Sequence, residues 1–276
     1  MSKMAASIKV TGATVQVPYY VQPEQKRGGW LATLVNAAAA VPKRQFATLL
    51  QDITFEANEG DRIALVGRNG AGKTTLLRAL TGAFRPTQGA VAVTGSRQAL
   101  LNMSIGFNPE ATLVENIFLR ATAMGIPAVQ VRELVDPILD FAELRDVASR
   151  RLLTLSSGQK MRLGFAIATS VRSDIMLLDE WFGTGDIYFV KKARARLTDH
   201  VEGSKIVVVA SHNQTLTKRL CNKGLVLDQG QIAFYGPLDA AVREYEKLNS
   251  IRQRGASVAE RATRAATSAG SNQHAT

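Results

Sequence analysis

The stretch Arg62–Leu80, RIALVGRNGAGKTTLLRAL, constrains this chain more than any other. Its first residues, apolar and partly β-branched, predict a buried strand, and Leu76, Leu77 and Leu80 give the spacing of a helix buried on one face. Between them Gly67-Arg68-Asn69-Gly70-Ala71-Gly72-Lys73-Thr74 fits G-x-x-x-x-G-K-[ST], a phosphate-binding loop. Gly70 and Gly72 let the backbone curl so that several N–H groups point inward at a polyphosphate. The helix N-terminus, with Thr75 in its first turn, adds donors and partial positive charge. Lys73 can reach the β- and γ-phosphates, and the Thr74 hydroxyl can ligate Mg²⁺. The stretch predicts a nucleoside triphosphate site and leaves open what the site is used for.

At 276 residues, with 46% hydrophobic residues, the chain can build one or two domains with a sizeable core. No run of about 18 apolar residues predicts a spanning helix. The segment MSKMAASIKV lacks a signal-peptide pattern, so the expectation is a cytosolic chain unless a partner holds it at a membrane. One cysteine, Cys221, excludes an internal disulfide and a cysteine metal cluster, and His200, His212 and His274 are too scattered to suggest zinc. The net charge of +11 asks for an anionic partner, whether nucleic acid, membrane face or substrate. No zinc finger or RNP-type aromatic motif accompanies it.

Along the chain, Ser7–Val10 predicts a strand, and the prolines of Thr14–Val21 and its flank predict an extended edge or a loop. Lys26–Val41 places Trp30, Leu31, Leu34, Val35 and Ala38 at helical spacing before Pro42. That helix could pack on its own domain or dock on another protein or a membrane surface. Strands are expected at Phe46–Ala57, Ala90–Val93, Ala99–Ile105, Ile175–Leu178 and Ile206–Ala210, and a hairpin at Leu225–Asp228 and Gln231–Tyr235. Leu113–Ala148 reads as helical with breaks at Gly125-Ile126-Pro127 and Asp136-Pro137. Helices are expected at Lys160–Val171, Tyr188–Val201 and Leu238–Asn249, with disorder beyond Ser250. The basic face of Tyr188–Val201 is either solvated or attracted to anionic headgroups. Alternating strands and helices imply an α/β core, with residues 107–172 as a mostly helical subdomain.

Ile175-Met176-Leu177-Leu178-Asp179-Glu180 is a buried strand that leaves two carboxylates where α/β sheets bind ligands. Asp179 suits Mg²⁺, held through water, and Glu180 suits an attacking water. His212 follows a second buried strand, where it is either structural or a contact to a γ-phosphate.

The phosphate loop, Leu155-Ser156-Ser157-Gly158-Gln159, the Leu177–Glu180 acids and the strand-end His212 come in the order and spacing of an ABC transporter ATP-binding subunit. The resemblance covers residues 45–237. It implies a P-loop NTPase core of the ABC ATPase type, with an antiparallel β subdomain and a helical subdomain. It implies ATP and Mg²⁺, and a head-to-tail homodimer in which Leu155–Gln159 of one subunit caps the γ-phosphate held by Lys73 of the other. Asp186 then matches the aspartate of the loop linking the two sites. Ser157 departs from the family's middle glycine but stays small. No glutamine stands in the loop after the Ala99–Ile105 strand, where Asn108 could supply the amide oxygen for Mg²⁺, or Glu110 replace it. Phe46 is the candidate for stacking on adenine, and reads equally well as a core strand residue.

GFNPEATLVENI, DEWFGTGD and the stretch from Ser211 to Ile232 resemble the ATPases of exporters of O-antigen, capsule or teichoic acid. That similarity implies an integral membrane permease partner, a lipid-linked glycan as transported substrate, no nucleic acid, and a place at the cytoplasmic face of the bacterial inner membrane. It also favours an interfacial role for the Lys26–Val41 helix. The expected division is an N-terminal extension at 1–44, the ATPase domain at 45–249 and a basic tail at 250–276. Alternatives are an exporter of a drug, lipid or small molecule, or a nucleic-acid- or ribosome-associated ATPase.

Overall fold

The computed structural model describes residues 5–21, 43–101, 106–179, 187–211 and 214–252. Nine strands and seven α-helices are found among them. The strands are β1 (Ser7–Val21), β2 (Lys43–Asn58), β3 (Arg62–Val66), β4 (Gln88–Thr94), β5 (Arg97–Leu100), β6 (Ile175–Asp179), β7 (Ile206–Ala210), β8 (Lys223–Asp228) and β9 (Gln231–Pro237). The helices are α1 (Lys73–Thr81), α2 (Leu113–Ala123), α3 (Ala128–Ala142), α4 (Ser157–Ala168), α5 (Ile187–Gly203), α6 (Gln214–Leu220) and α7 at 238–252.

The central sheet runs β5-β6-β7-β3-β8-β9, parallel except for the antiparallel edge strand β9. Both of its faces are covered, which is why RIALV, IMLLD and IVVVA are continuous apolar runs rather than alternating ones. One face places Ile63, Leu65, Leu177 and Val208 against Leu76, Leu77 and Leu80 of α1 and the inner side chains of β1 and β2. The other places Ala64, Met176, Leu178 and Val209 against Phe189, Ala193 and Leu197 of α5 and Phe165 of α4. A second, antiparallel sheet, β2-β1-β4, stacks on the first face.

Helices α2, α3 and α4 close a separate cluster around Leu113, Ile117, Val131, Ile138 and Ile167. Helix α4 serves both cores: Leu163, Ala166 and Ile167 face the helical cluster, while Phe165 and Ala168 face the central sheet.

The structure corrects several expectations. Residues 14–21 take the extended-edge alternative rather than the loop: they continue β1, paired on one side with β2 as far as Val21↔Lys43. Pro18 is tolerated because β4 pairs with β1 only up to Thr14↔Gln88, leaving no neighbour that needs its missing N–H. The expected 44/45 boundary therefore falls inside β2, and residues 7–21 belong to the antiparallel sheet. Helix α3 runs through Asp136-Pro137 without a break. Pro137 lies on the exposed face, while Ile138, Leu139 and Ala142 anchor the same turns in the core. Helix α4 starts at Ser157 rather than Lys160, because Ser156 caps it. Strand β5 begins at Arg97, earlier than Ala99, and ends at Leu100. The helix expected at Lys26–Val41 and the tail beyond 252 lie outside the described residues.

Candidate nucleotide site

The loop between β3 and α1 turns on Gly72, which caps α1 with φ 105°. A Cβ there would approach Leu50 Cδ2 to 2.8 Å, so a larger residue meets both backbone strain and a packed neighbour. No side chain caps α1 and no acid lies in its first turn, so its first amides keep their pull on anions. The Lys73 ammonium donates to the carbonyls of Gly67 at 2.6 Å and Arg68 at 3.1 Å. It thus crosses the mouth of the loop, where it can neutralise phosphate charge.

Thr74 links the loop to the strand-end acids: its Oγ1 donates to Asp179 Oδ2 at 2.7 Å. The bond spans the first turn of α1 and the last residue of β6. Parallel strands β3, β6 and β7 all end at this edge, with Asp179 in register with Ala210. A hydroxyl and a carboxylate side by side are hard oxygen donors, so the pair fits Mg²⁺. Among the described residues no cluster of three His, Cys, Asp or Glu side chains forms a metal site.

These groups line a cleft of about 550 Å³, a size suited to a nucleotide. Arg68, Asn69, Gly70, Gly72, Lys73, Thr74, Thr75 and Asp179 face it. Gly67 and Ala71 lie beneath, the latter buried and accepting the Gly230 N–H at 3.1 Å. Sequence reading missed Thr48, Leu49, Gln229 and Gly230, which complete the lining. Gln229-Gly230 is a hairpin turn with both residues at positive φ, 48° and 79°. Its place at the loop follows only from β8 pairing with β3, which no local pattern announces.

Phe46 is not part of this lining. It is 54% exposed on β2, with the Arg44 guanidinium over its ring at 4.9 Å. Asn108 is also elsewhere: its Oδ1 accepts the Glu110 N–H at 3.0 Å, and both residues line a second cleft, of about 720 Å³, on the helical subdomain. The structure therefore does not bring Asn108 to Thr74 and Asp179, and Glu110, paired with Arg151, lies in that second cleft with it. Glu180, Asp186 and His212 lie outside the described residues.

Leu155–Gln159 forms the start of α4. Ser156 Oγ accepts the Gln159 N–H at 3.2 Å, and Gln159 Oε1 accepts the Ser156 N–H at 3.0 Å, a capping box. Leu155 anchors the turn in the helical core, while Ser156 and Ser157 are exposed. Ser157 has helical backbone geometry, so a glycine is not required there. None of the five residues lines the chain's own phosphate-loop cleft.

A strand, a phosphate loop closed by a helix, and a strand-end carboxylate bonded to the loop's threonine define a P-loop nucleoside triphosphatase. The sequence family described as ABC transporter matches residues 50–183. The chain is 42% identical over 185 residues to the O-antigen export system ATP-binding protein RfbE of Yersinia enterocolitica, covering 67% of this chain and 77% of the relative. It is 31% identical over 213 residues to the O-antigen export system ATP-binding protein RfbB of Klebsiella pneumoniae, covering 75% and 87%. To the teichoic acids export ATP-binding protein TagH of Bacillus anthracis it is 37% identical over 199 residues, 72% of this chain but 36% of that one. Among solved structures, an ATP-binding subunit of an ABC transporter has the same fold at TM-score 0.62 and 22% identity, covering 87% of this chain and 93% of that one. A dimeric ATP-binding cassette in a post-hydrolysis state with ADP and Pi matches at TM-score 0.60 and 20% identity, covering 84% and 98%. The chain belongs to the ABC transporter family and carries its ATPase domain.

Proposed function

We propose that this chain hydrolyses ATP as one half of a homodimer, and that the closing and opening of the dimer drive a membrane permease that exports a lipid-linked polysaccharide. One observation carries the reading. The phosphate-loop cleft and the capped start of α4 are both fully built, yet the second does not line the first. A second copy placed head to tail would supply the missing wall.

In that arrangement Lys73 holds the β- and γ-phosphates, while the exposed Ser156–Gly158 turn of the partner presents a helix N-terminus to the γ-phosphate. Thr74 and Asp179 would hold Mg²⁺, which when bound neutralises charge developing between the β- and γ-phosphates. Glu180, the residue after Asp179, orients the attacking water. His212, which follows β7 in the sequence, would contact the γ-phosphate, and Asp186 would belong to the loop joining the two sites.

The permease reading has separate support. No helix among the described residues is long and apolar enough to cross a membrane. The second cleft offers an apolar floor of Val114, Phe118 and Leu119 between Glu110 and Glu115, suited to a short helix of a partner. The relatives named above are ATP-binding proteins of O-antigen and teichoic acid export systems. A place at the cytoplasmic face of the inner membrane and a lipid-linked glycan substrate follow from the same reading.

Deletion of the gene tests it. The expected result is accumulation of a lipid-linked glycan on the cytoplasmic side, relieved by the wild-type chain and not by Glu180→Gln. Normal surface glycan in the deletion strain, with no accumulating intermediate, would contradict it.

A further inference from the structure

Asn116, in the second turn of α2, is fully buried and has every polar atom of its side chain engaged. Its Oδ1 accepts the Asn108 N–H at 2.8 Å. Its Nδ2 faces the carbonyls of Asn108, Ala111 and Thr112 at 3.0, 3.2 and 2.8 Å. One side chain thus fastens both ends of the 108–112 loop to α2. Asn108, Glu110 and Ala111 of that loop line the second cleft.

The loop's other side is bonded to the segment that leads into α4. The Leu153 N–H donates to Pro109 O and the Leu152 N–H to Ala111 O, both at 2.9 Å, and Leu113 N–H donates to Arg150 O at 3.2 Å. Leu152–Thr154 then forms a 3₁₀ turn, whose Leu152 carbonyl accepts the Leu155 N–H at 3.1 Å. Ser156, the cap of α4, comes next. Hydrogen bonds therefore link Asn116 through the cleft-lining loop to Leu155, whose peptide bond leads into Ser156 at the start of α4. Asn116 itself is fully buried, so an unpaired amide there is costly and its end of the path is held to one geometry.

We infer that Asn116 is a positioning residue for ATP hydrolysis, setting the Ser156–Gly158 turn in register with the second cleft so that a partner seated there and the helix end move as one. This rests on the reading that Leu155–Gln159 completes the ATP site of a second copy. Asn116 does not line the phosphate-loop cleft, so its loss should leave binding there intact and lower turnover.

The test uses the full chain with the fluorescent analogue TNP-ATP for binding and saturating Mg-ATP for turnover. Asn116→Ala should bind TNP-ATP within about 2-fold of wild type while turnover falls by about 10-fold or more. Thr112→Val is the control: it removes the α2 cap and spares the Asn116 bonds, so turnover should stay within about 2-fold at a comparable loss of melting temperature. If Asn116→Ala does not fold, Phe107→Leu carries the test. It removes the stacking of Arg120 on the Phe107 ring, 4.5 Å away, that steadies the start of the same loop, and turnover should fall with binding unchanged.

Wild-type turnover in Asn116→Ala, or in Phe107→Leu where that variant stands in, overturns the inference, as does an equal loss in Thr112→Val. Ser157→Arg separates the two levels. If it keeps full turnover, the two-copy site itself is wrong and Asn116 has nothing to position. If it is inactive while Asn116→Ala is not, only the role of Asn116 fails.

Discussion

Thr74 and Asp179 are 105 residues apart in the chain and 2.7 Å apart in space, and in the proposed function that pair would hold the metal of a metal–phosphate complex. Asp179→Asn keeps the shape and a hydrogen-bond acceptor but removes the charge. Mg-dependent ATP turnover should fall by about 100-fold or more while the melting temperature stays near wild type, as a steady-state assay and a thermal melt will show. Gly72 has a different kind of importance. Gly72→Ala puts a Cβ at φ 105° and 2.8 Å from Leu50 Cδ2, and should destabilise the fold by about 1–3 kcal/mol and weaken nucleotide binding. A urea titration alongside nucleotide binding measures both. Cys221 tests the core: burial pushes its thiol up to about 12. The unfolded thiol ionises near pH 8.5–9, so this residue's contribution to stability is lost as pH rises from about 9 towards 12. The native protein at pH 8 should resist labelling by Ellman's reagent and react only in denaturant, and rapid stoichiometric labelling without denaturant would contradict its burial.

At the level of elements, the interior of the chain was more legible than its edges. Strands β3, β6 and β7 were readable because burial on both faces leaves continuous apolar runs, and the β8–β9 hairpin because Gln229-Gly230 is turn chemistry. Proline marked an edge in one place and misled in another, since its cost depends on which neighbour needs its N–H. Pro18 faces no partner strand on its free side, and Pro137 sits on the outer face of a helix whose inner face is anchored. Pro137 still withholds a helical hydrogen bond, so Pro137→Ala should stabilise the protein by about 1–2 kcal/mol in urea denaturation. Helix α4 shows the opposite case. Its capping box was present in the letters Ser156 and Gln159, yet the start was expected at Lys160 because periodicity, not the cap, defined it. The phosphate loop was legible because its chemistry is local. Thr48, Leu49, Gln229 and Gly230 were not, because they reach the cleft only through strand order. Asn108 was expected at the metal from its place in sequence, but its side chain is committed to the Glu110 N–H in another cleft.

At the level of the whole molecule, two cores meet at α4. The central sheet holds the phosphate loop, and the helical cluster holds the capped turn and the second cleft, so α4 is the element through which each core feels the other. Where α3, α4 and α5 meet, Glu143 pairs with Arg162 and Lys192, and the Phe141 ring lies beside Lys192 and Arg196. Exposed pairs of this kind are worth about 0–1 kcal/mol each, so the stronger hold on the junction is the packing of Phe141 on the buried rings of Phe165 and Phe189. In the proposed two-copy site, the turn at the start of α4 would meet the cleft of another copy. The measurement that tests this most directly is the mass of Glu180→Gln in solution with and without Mg-ATP, by light scattering. The account predicts a monomer without nucleotide and, with it, a dimer retaining two ATP, lost when Ser157→Arg is added. A protein that stays monomeric at saturating ATP, or a dimer that Ser157→Arg leaves intact, would contradict it.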